Sequence, residues 1–480
     1  MDAAAMSRRT TLLVLALTAL PRLLVFPFAE NVAGDAVVRS WLAHAWLEHP
    51  HLIGASSQGC LQYGPLHLVL VALVEWLTGS EHLAGRLLSL IVGTLSAWPL
   101  FAVARRLFSD RAAWWSVVVF SLWPLHIQAS TTAASEALSG LFVLVAVAAV
   151  ARAIDTGERE VLFAGALSLT AGAAVRYDVW LWVPLLALVV WWRGRSFGRA
   201  FVFGAIAASF PVAWLLGHLV DTGDLLFPIR VIDDYHRTWF RSEAALWGER
   251  DYRLIVLGFW PLTAAATFTP IVTIIGGVAL ARARIGSARW LMLLVLVPTV
   301  LLSLRGAVLE SFVPLSRFTM KELSLFVVFI GAGLAALESR SRWAAWACVP
   351  LLLTWVPLVE VAARTPWRWA NSFRAVSALS LNGDDLRVVA KELRARAAPA
   401  DIVAVDVDPR GFDDIQLAFE SGLPFRQVAR RRAPSFEAFA APGARWLVLF
   451  DGGVMTTAFD GGSWREVVRA GPITLLERAR

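Results

Sequence analysis

The sequence predicts an all-α polytopic membrane bundle that continues into a small water-soluble α/β domain. Three observations carry this expectation. Hydrophobic residues make up 58% of the 480 and charged residues only 17%, whereas soluble domains carry roughly 25% charge. Apolar runs of bilayer-spanning length recur through the first 362 residues, separated by arginine-bearing turns. After residue 362 the pattern changes to short strands alternating with helices.

About eleven candidate spans follow from the hydropathy: 10–28, 83–104, 112–130, 137–152, 161–175, 179–192, 200–219, 255–281, 289–304, 322–338 and 343–362. The first begins at Arg8-Arg9 and runs on through Pro21 and Arg22 without a small-residue cleavage site, so it reads as a retained signal anchor. Every second connection carries arginine: Arg105-Arg106 to Arg111, Arg152 to Arg159, Arg193 to Arg199, Arg282 to Arg289, and Arg340 to Arg342. With Arg8-Arg9 these clusters fall on one side if the N-terminus is cytoplasmic. The apolar stretch 65–78 is too short to span and carries His67 and Glu75. Counting it as a span would also turn every later arginine cluster outward. It is therefore expected to lie at the outer interface, as is the helix-spaced stretch 35–48 with Trp41 and Trp46.

This register gives long external loops at 29–82 and 218–254, a further one near 305–321, and an external segment 363–480. The expected domains are thus a transmembrane module, 1–362, and an extracytoplasmic α/β accessory domain, 363–480. Within the latter we expect helices at 384–397 and 412–421 and strands at 402–407, 446–450 and 473–477, with no glycine fingerprint for phosphate. The net charge of +7 does not signal nucleic-acid binding, because most basic residues punctuate the apolar runs. Cys60 and Cys348 support neither a disulfide framework nor a zinc cluster. Lys321 and Lys391 are the only lysines, a bias that fits a GC-rich bacterial genome and hence a bacterial cytoplasmic (inner) membrane.

Several polar residues stand at the face expected to be external. Asp35 follows the first span at the start of an interfacial helix, where a carboxylate serves either as a cap or as a general base. Glu136 stands at the junction of the third and fourth spans. An acid there either complements a helix dipole or marks a functional interior. Arg39 is one helical turn beyond Asp35. Arg176-Tyr177-Asp178 breaks an apolar stretch, and Arg317 and Lys321 precede the tenth span. Each cation, Arg22 included, could snorkel to headgroups, but arginine also suits phosphate through its planar fork. Tyr63 and His67 flank Gly64-Pro65 in what is otherwise a turn. Asp233, Asp234 and His236 have the ingredients of a metal site without its spacing.

In their order along the chain, several short motifs resemble the GT-C superfamily of polyprenyl-phosphate-sugar-dependent glycosyltransferases. They are Gly34-Asp35, Tyr63-Gly64-Pro65-Leu66, Ala84-Gly85-Arg86-Leu87-Leu88-Ser89, Arg105-Arg106-Leu107-Phe108, Pro124-Leu125-His126 with Ser135-Glu136, Val175-Arg176-Tyr177, and Thr222-Gly223-Asp224 with Phe227-Pro228. Within it the chain is similar to family 39, aminoarabinose-transferase-like and protein-mannosyltransferase-like enzymes. The resemblance implies a GT-C-like bundle with interfacial helices in the first external loop. It also implies a polyprenyl-phosphate sugar donor, a lipid, protein or glycan acceptor, and inverting transfer with Asp35 as base. It assigns Glu136 to the second acidic position and Arg39, Arg176 and Arg317 to the lipid-linked phosphate. Tyr63-Gly64-Pro65 replaces the commoner double proline, and Glu136 stands where relatives often carry Asp. No cofactor is certain, and dependence on a divalent metal is left open. The alternative from another class is a transporter or flippase of lipid-linked sugars. Against it, internal repeats are absent and the polar groups gather at one face rather than mid-membrane.

Overall fold

The computed structural model describes residues 7–29, 34–51, 53–54, 64–363, 384–407, 413–430, 443–456 and 462–479. Tyr63 and Cys60 lie outside them. The chain divides into two compact units: Met1–Glu30 with His51–Leu70 and Leu87–Leu379, and Asn31–Pro50 with Val71–Arg86 and Ser380–Arg480.

The first unit is helical. It contains α1 (Arg8–Val25), the start of α3 (Pro65–Thr78), most of α4 (Glu81–Leu95), α5 (Ala97–Leu107), α6 (Asp110–Ser121), α7 (Pro124–Thr131), α8 (Glu136–Thr156) and α9 (Arg159–Val175). After a 3₁₀ turn at Tyr177–Leu181 come α10 (Trp182–Gly194), α11 (Phe197–Thr222), α12 (Phe227–Trp247), α13 (Glu249–Phe268), α14 (Pro270–Arg282) and α15 (Arg289–Ala307). A second such turn at Ser316–Thr319 leads into α16 (Met320–Glu338), and α17 (Arg342–Ala363) closes the unit. Among the described residues, five helical segments are long and apolar enough to cross a membrane: Glu81–Leu107, Glu136–Thr156, Phe197–Thr222, Arg289–Ala307 and Ser316–Glu338. Of the other expected spans, 10–28, 161–175 and 343–362 each correspond to one helix, whereas 112–130 and 255–281 are each divided between two. The stretch 255–281, expected as one span, breaks at Thr269. That residue takes φ +71° ahead of Pro270, and its hydroxyl caps α14 by accepting the Val272 amide at 3.2 Å.

Small residues let these helices approach closely, the packing mode expected in lipid. A Cβ placed on Gly331 of α16 would lie 2.1 Å from the Ser116 hydroxyl and 2.5 Å from the Ala112 carbonyl oxygen of α6. The arginine-bearing turns gather at one end of the unit. Arg106 meets Asp155 at 2.7 Å, Arg152 meets Glu158 at 2.7 Å, and Arg111 grips both oxygens of Glu338 at 2.6 and 2.7 Å. The sequence treated Arg22 as a cation free to snorkel, but it turns inward. It is fully buried, donating to the Thr18 carbonyl at 2.6 Å and to His126 Nδ1 at 2.7 Å.

The second unit contains α2 (Gly34–Glu48), the end of α3, the start of α4 and the C-terminal domain. That domain has α18 (Asp384–Arg396), α19 (Asp413–Ser421) and a five-stranded sheet in the order β2-β1-β3-β5-β4. β1 (Ile402–Val405) runs parallel to β2 (Val428–Arg430) and β3 (Ala444–Phe450). β5 (Ile473–Arg478) is antiparallel to β3 and to β4 (Trp464–Ala470). The three expected strands are present; β2 and β4 are additions. Leu386, Val389 and Leu393 of α18 pack with Val403, Val405, Trp446, Val448 and Leu475 of the sheet to form its core. Trp41 of α2 stacks on Phe425 with centroids 5.4 Å apart and planes 5° from parallel.

Candidate active site

The first unit gathers four of the expected site residues at one place. α8 begins at Glu136, α9 ends one residue before Arg176, the turn ahead of α16 supplies Arg317, and the first turn of α16 supplies Lys321. Apolar helices cannot tolerate charge along their lengths in lipid, so charge collects at these junctions and pairs there. Glu136 is 2% exposed, and its Oε1 accepts from Arg176 Nη1 at 2.8 Å, with Arg317 Nε at 3.7 Å. Arg176 also donates to the Ser135 hydroxyl at 3.1 Å and, through Nε, to Asp178 at 3.2 and 3.3 Å. Lys321 Nζ, itself buried, completes the chain at 2.7 Å from Asp178 Oδ2. Phe318 lies between the two guanidiniums, 5.2 Å from that of Arg176 and 5.3 Å from that of Arg317.

Two members of this neighbourhood were missed as site residues. Asp178 was read as part of a polar break, yet it is the carboxylate that joins Arg176 to Lys321. Burial alone would raise its pKa, but Arg176 and Lys321 outweigh burial and hold the carboxyl well below the usual range. Its signal was the sequence itself, an acid two residues from an arginine inside an apolar stretch. Glu322, 1% exposed beside Lys321, is a third buried acid on the same helix start. The Tyr177 hydroxyl accepts Trp214 Nε1 at 2.8 Å, and its ring meets Trp180 edge-on at 4.8 Å. His67 is buried near the start of α3.

Asp35 and Arg39 belong to the second unit. Asp35 stands half-buried in the first turn of α2 rather than before it, and Arg39 is buried one turn on. The Asp233, Asp234 and His236 group is taken apart by its neighbours. Asp233 pairs with Arg305, Asp234 with Arg237 at 3.2 Å, and His236 Nδ1 accepts the Val313 amide at 3.1 Å. Among the described residues, the group whose donor atoms could converge on a metal ion is instead His44, Glu75 and Glu81 in the second unit.

A dry cluster of guanidiniums and an ammonium can hold a phosphate and stabilise it as a leaving group. Residues 62–216, which include Glu136 and Arg176, match the family model of dolichyl-phosphate-mannose-protein mannosyltransferase. No curated protein matches the chain by sequence. ArnT from Cupriavidus metallidurans, solved bound to undecaprenyl phosphate, superposes with a TM-score of 0.65 at 14% identity over 98% of each chain. The oligosaccharyltransferase from Archaeoglobus fulgidus, solved with zinc and sulfate, superposes with a TM-score of 0.54 at 11% identity, over 91% of this chain and 68% of its own. The resemblance found in the sequence motifs is met in the family model across residues 62–216, and across nearly the whole length the chain shares the fold of ArnT.

Proposed function

We propose that this protein is an inverting membrane glycosyltransferase that moves a sugar from a polyprenyl-phosphate donor to a lipid, protein or glycan acceptor. The observation that carries the proposal is the buried Glu136–Arg176–Asp178–Lys321 chain with Arg317 at its side. It lies at helix ends, where a lipid-linked phosphate would be met, and Glu136, Arg176 and Asp178 fall inside the matched family region. Arg176, Arg317 and Lys321 are assigned to the donor phosphate, Arg39 to the same lipid-linked group, and Glu136 to orienting the cations or the acceptor. Tyr63, His67 and Tyr177 are assigned to substrate contact. The fold shared with a protein solved with undecaprenyl phosphate supports the donor class.

In the proposed step, Asp35 takes the proton of an acceptor hydroxyl or amine. The acceptor forms a bond to the sugar C1 while the C1–O bond to the polyprenyl phosphate breaks, and the phosphate leaves with the electron pair. No nucleotide-binding fold is then needed, and chemistry runs on the extracytoplasmic side of a bacterial inner membrane, with the N-terminus cytoplasmic and residues 363–480 as an accessory domain. Membranes containing the protein should transfer radiolabel from a polyprenyl-phosphate sugar to acceptor. Asp35→Asn should abolish transfer with membrane insertion and thermal stability unchanged. Full activity in that variant would sink the assignment of the base.

A further inference from the structure

We propose that His44, Glu75 and Glu81 form a site for one first-row divalent transition metal, with zinc the best fit, that fastens α2 to the end of α3 and the start of α4. The site lies wholly within the second unit and does not depend on the transfer reaction. His44 Nδ1 is 2.5 Å from Glu75 Oε1 and 3.0 Å from Glu81 Oε2, and the donor atoms of all three residues lie within 4.8 Å of one another. His44 lies 31 residues before Glu75, on the helix preceding those of the two acids, so the fold brings three successive helices together here.

The cluster by itself would describe only a histidine between acids. Two further features point to a cation. The Glu75 side chain is 6% exposed, and its second oxygen, Oε2, is buried without a hydrogen-bond partner among the described residues. Leaving a carboxylate oxygen in that state is costly. In addition, three carboxylates face one imidazole, because Glu48 stands 3.5 Å from His44 Nε2. A proton on Nδ1 answers only part of this excess and leaves Glu75 Oε2 unanswered. A metal ion takes a lone pair from each of the three residues.

The donor set selects the ion. An imidazole nitrogen with two carboxylates suits zinc and its neighbours rather than magnesium or calcium, which favour all-oxygen shells. Tetrahedral bonds of about 2.0–2.1 Å place donors roughly 3.3 Å apart. The His44–Glu81 pair is therefore almost correctly spaced, and Glu75 must retreat by under about 1 Å. The ligands are also aimed by outer partners, as metal ligands commonly are. Glu81 Oε1 accepts the Phe425 amide at 2.8 Å, and the Phe425 ring meets His44 edge-on at 5.6 Å. Through Phe425 the site reaches the segment between α19 and β2.

The full chain, purified in detergent without a polyhistidine tag and stripped with chelator, should rebind one zinc per chain. Zinc should raise its unfolding midpoint by several degrees, and cobalt in its place should give the intense visible bands of a tetrahedral site. Glu75→Gln conserves shape and replaces the unpartnered oxygen by an amide. It should weaken zinc binding at least tenfold and remove the metal-dependent shift, as should His44→Gln. Glu48→Gln, outside the ligand set, should keep both. If the wild type rebinds no zinc, or if Glu75→Gln and His44→Gln bind it as tightly as the wild type, the proposal is overturned.

Discussion

The Glu136–Arg176 pair offers a quantitative test of whether the buried charges act as one network. Arg176→Met removes the 2.8 Å partner of Glu136 and leaves it Arg317 Nε at 3.7 Å, while Asp178 keeps Lys321 at 2.7 Å. Breaking a buried ion pair from one side costs about 3–5 kcal/mol. The low end, about 3 kcal/mol, applies here because each acid retains a cation. Glu136→Gln keeps an acceptor for Arg176 but leaves that arginine short of a counter-charge, at about 2 kcal/mol. The double variant has neither the orphaned acid nor the under-compensated arginine, so it should cost about 3 kcal/mol rather than the additive 5, a coupling near 2 kcal/mol. Unfolding in mixed micelles, followed for all four proteins, measures the cycle. A coupling below about 0.5 kcal/mol, the scatter of independent sites, would refute the claim that these residues form one unit.

Three other outcomes are expected. His236 has its pKa lowered to about 4, first by burial and then by the Arg305 charge. Because the folded value lies below the unfolded one, its contribution is complete above pH about 6.5 and is lost as the pH falls toward 4, on the order of 3 kcal/mol. The protection factor of the Val313 amide, which His236 accepts at 3.1 Å, should therefore fall between pH 7.5 and 4.5, and a pH-independent protection factor would contradict it. Gly331→Leu must push α16 from α6, since even a Cβ would stand 2.1 Å from Ser116 Oγ. It should cost about 3 kcal/mol or more, and an unchanged thermal midpoint would be inconsistent with that packing. Asp406, fully buried, accepts the amides of Val407 at 2.8 Å and Met455 at 3.2 Å and the Thr456 hydroxyl at 3.3 Å. Asp406→Ala should cost about 3 kcal/mol and show as faster exchange in the sheet, with Asp406→Asn recovering part of it.

The membrane class was legible because it needs only composition and run length, and neither depends on how helices pack. Helix ends at arginine-bearing turns were legible for the same reason, and the pairings of Arg106, Arg111 and Arg152 fall where those turns were read. Breaks inside apolar segments were not. Thr269 looks like an ordinary residue in a long run, and only its positive φ divides 255–281 into two helices. β2 and β4 escaped for a different reason. Val428-Ala-Arg430 is three residues long, and Trp464-Arg-Glu-Val-Val-Arg-Ala470 interrupts its alternation with adjacent valines, where the register of β4 on β5 shifts between Glu466 and Val468.

At the site, the sequence revealed single charges more readily than their partners. Glu136, Arg176, Arg317 and Lys321 were each conspicuous because an ionisable group at the edge of a membrane helix is expensive, and the structure brings all four together. What could not be read was the carboxylate that joins them, because Asp178 adjoins Arg176 and Tyr177 and passed as part of a break. The partner that matters is Lys321, 143 residues away at 2.7 Å. The same limit explains His44, Glu75 and Glu81: no spacing rule links a histidine on one helix to acids on the next two. The physical rule that remains is that a buried charge implies its partner. Each cation found at a helix end is therefore a reason to search for an acid elsewhere in the chain. By that rule the oxygen of Glu75 that lacks a partner among the described residues, buried beside an already engaged histidine, implies a cation that those residues do not supply.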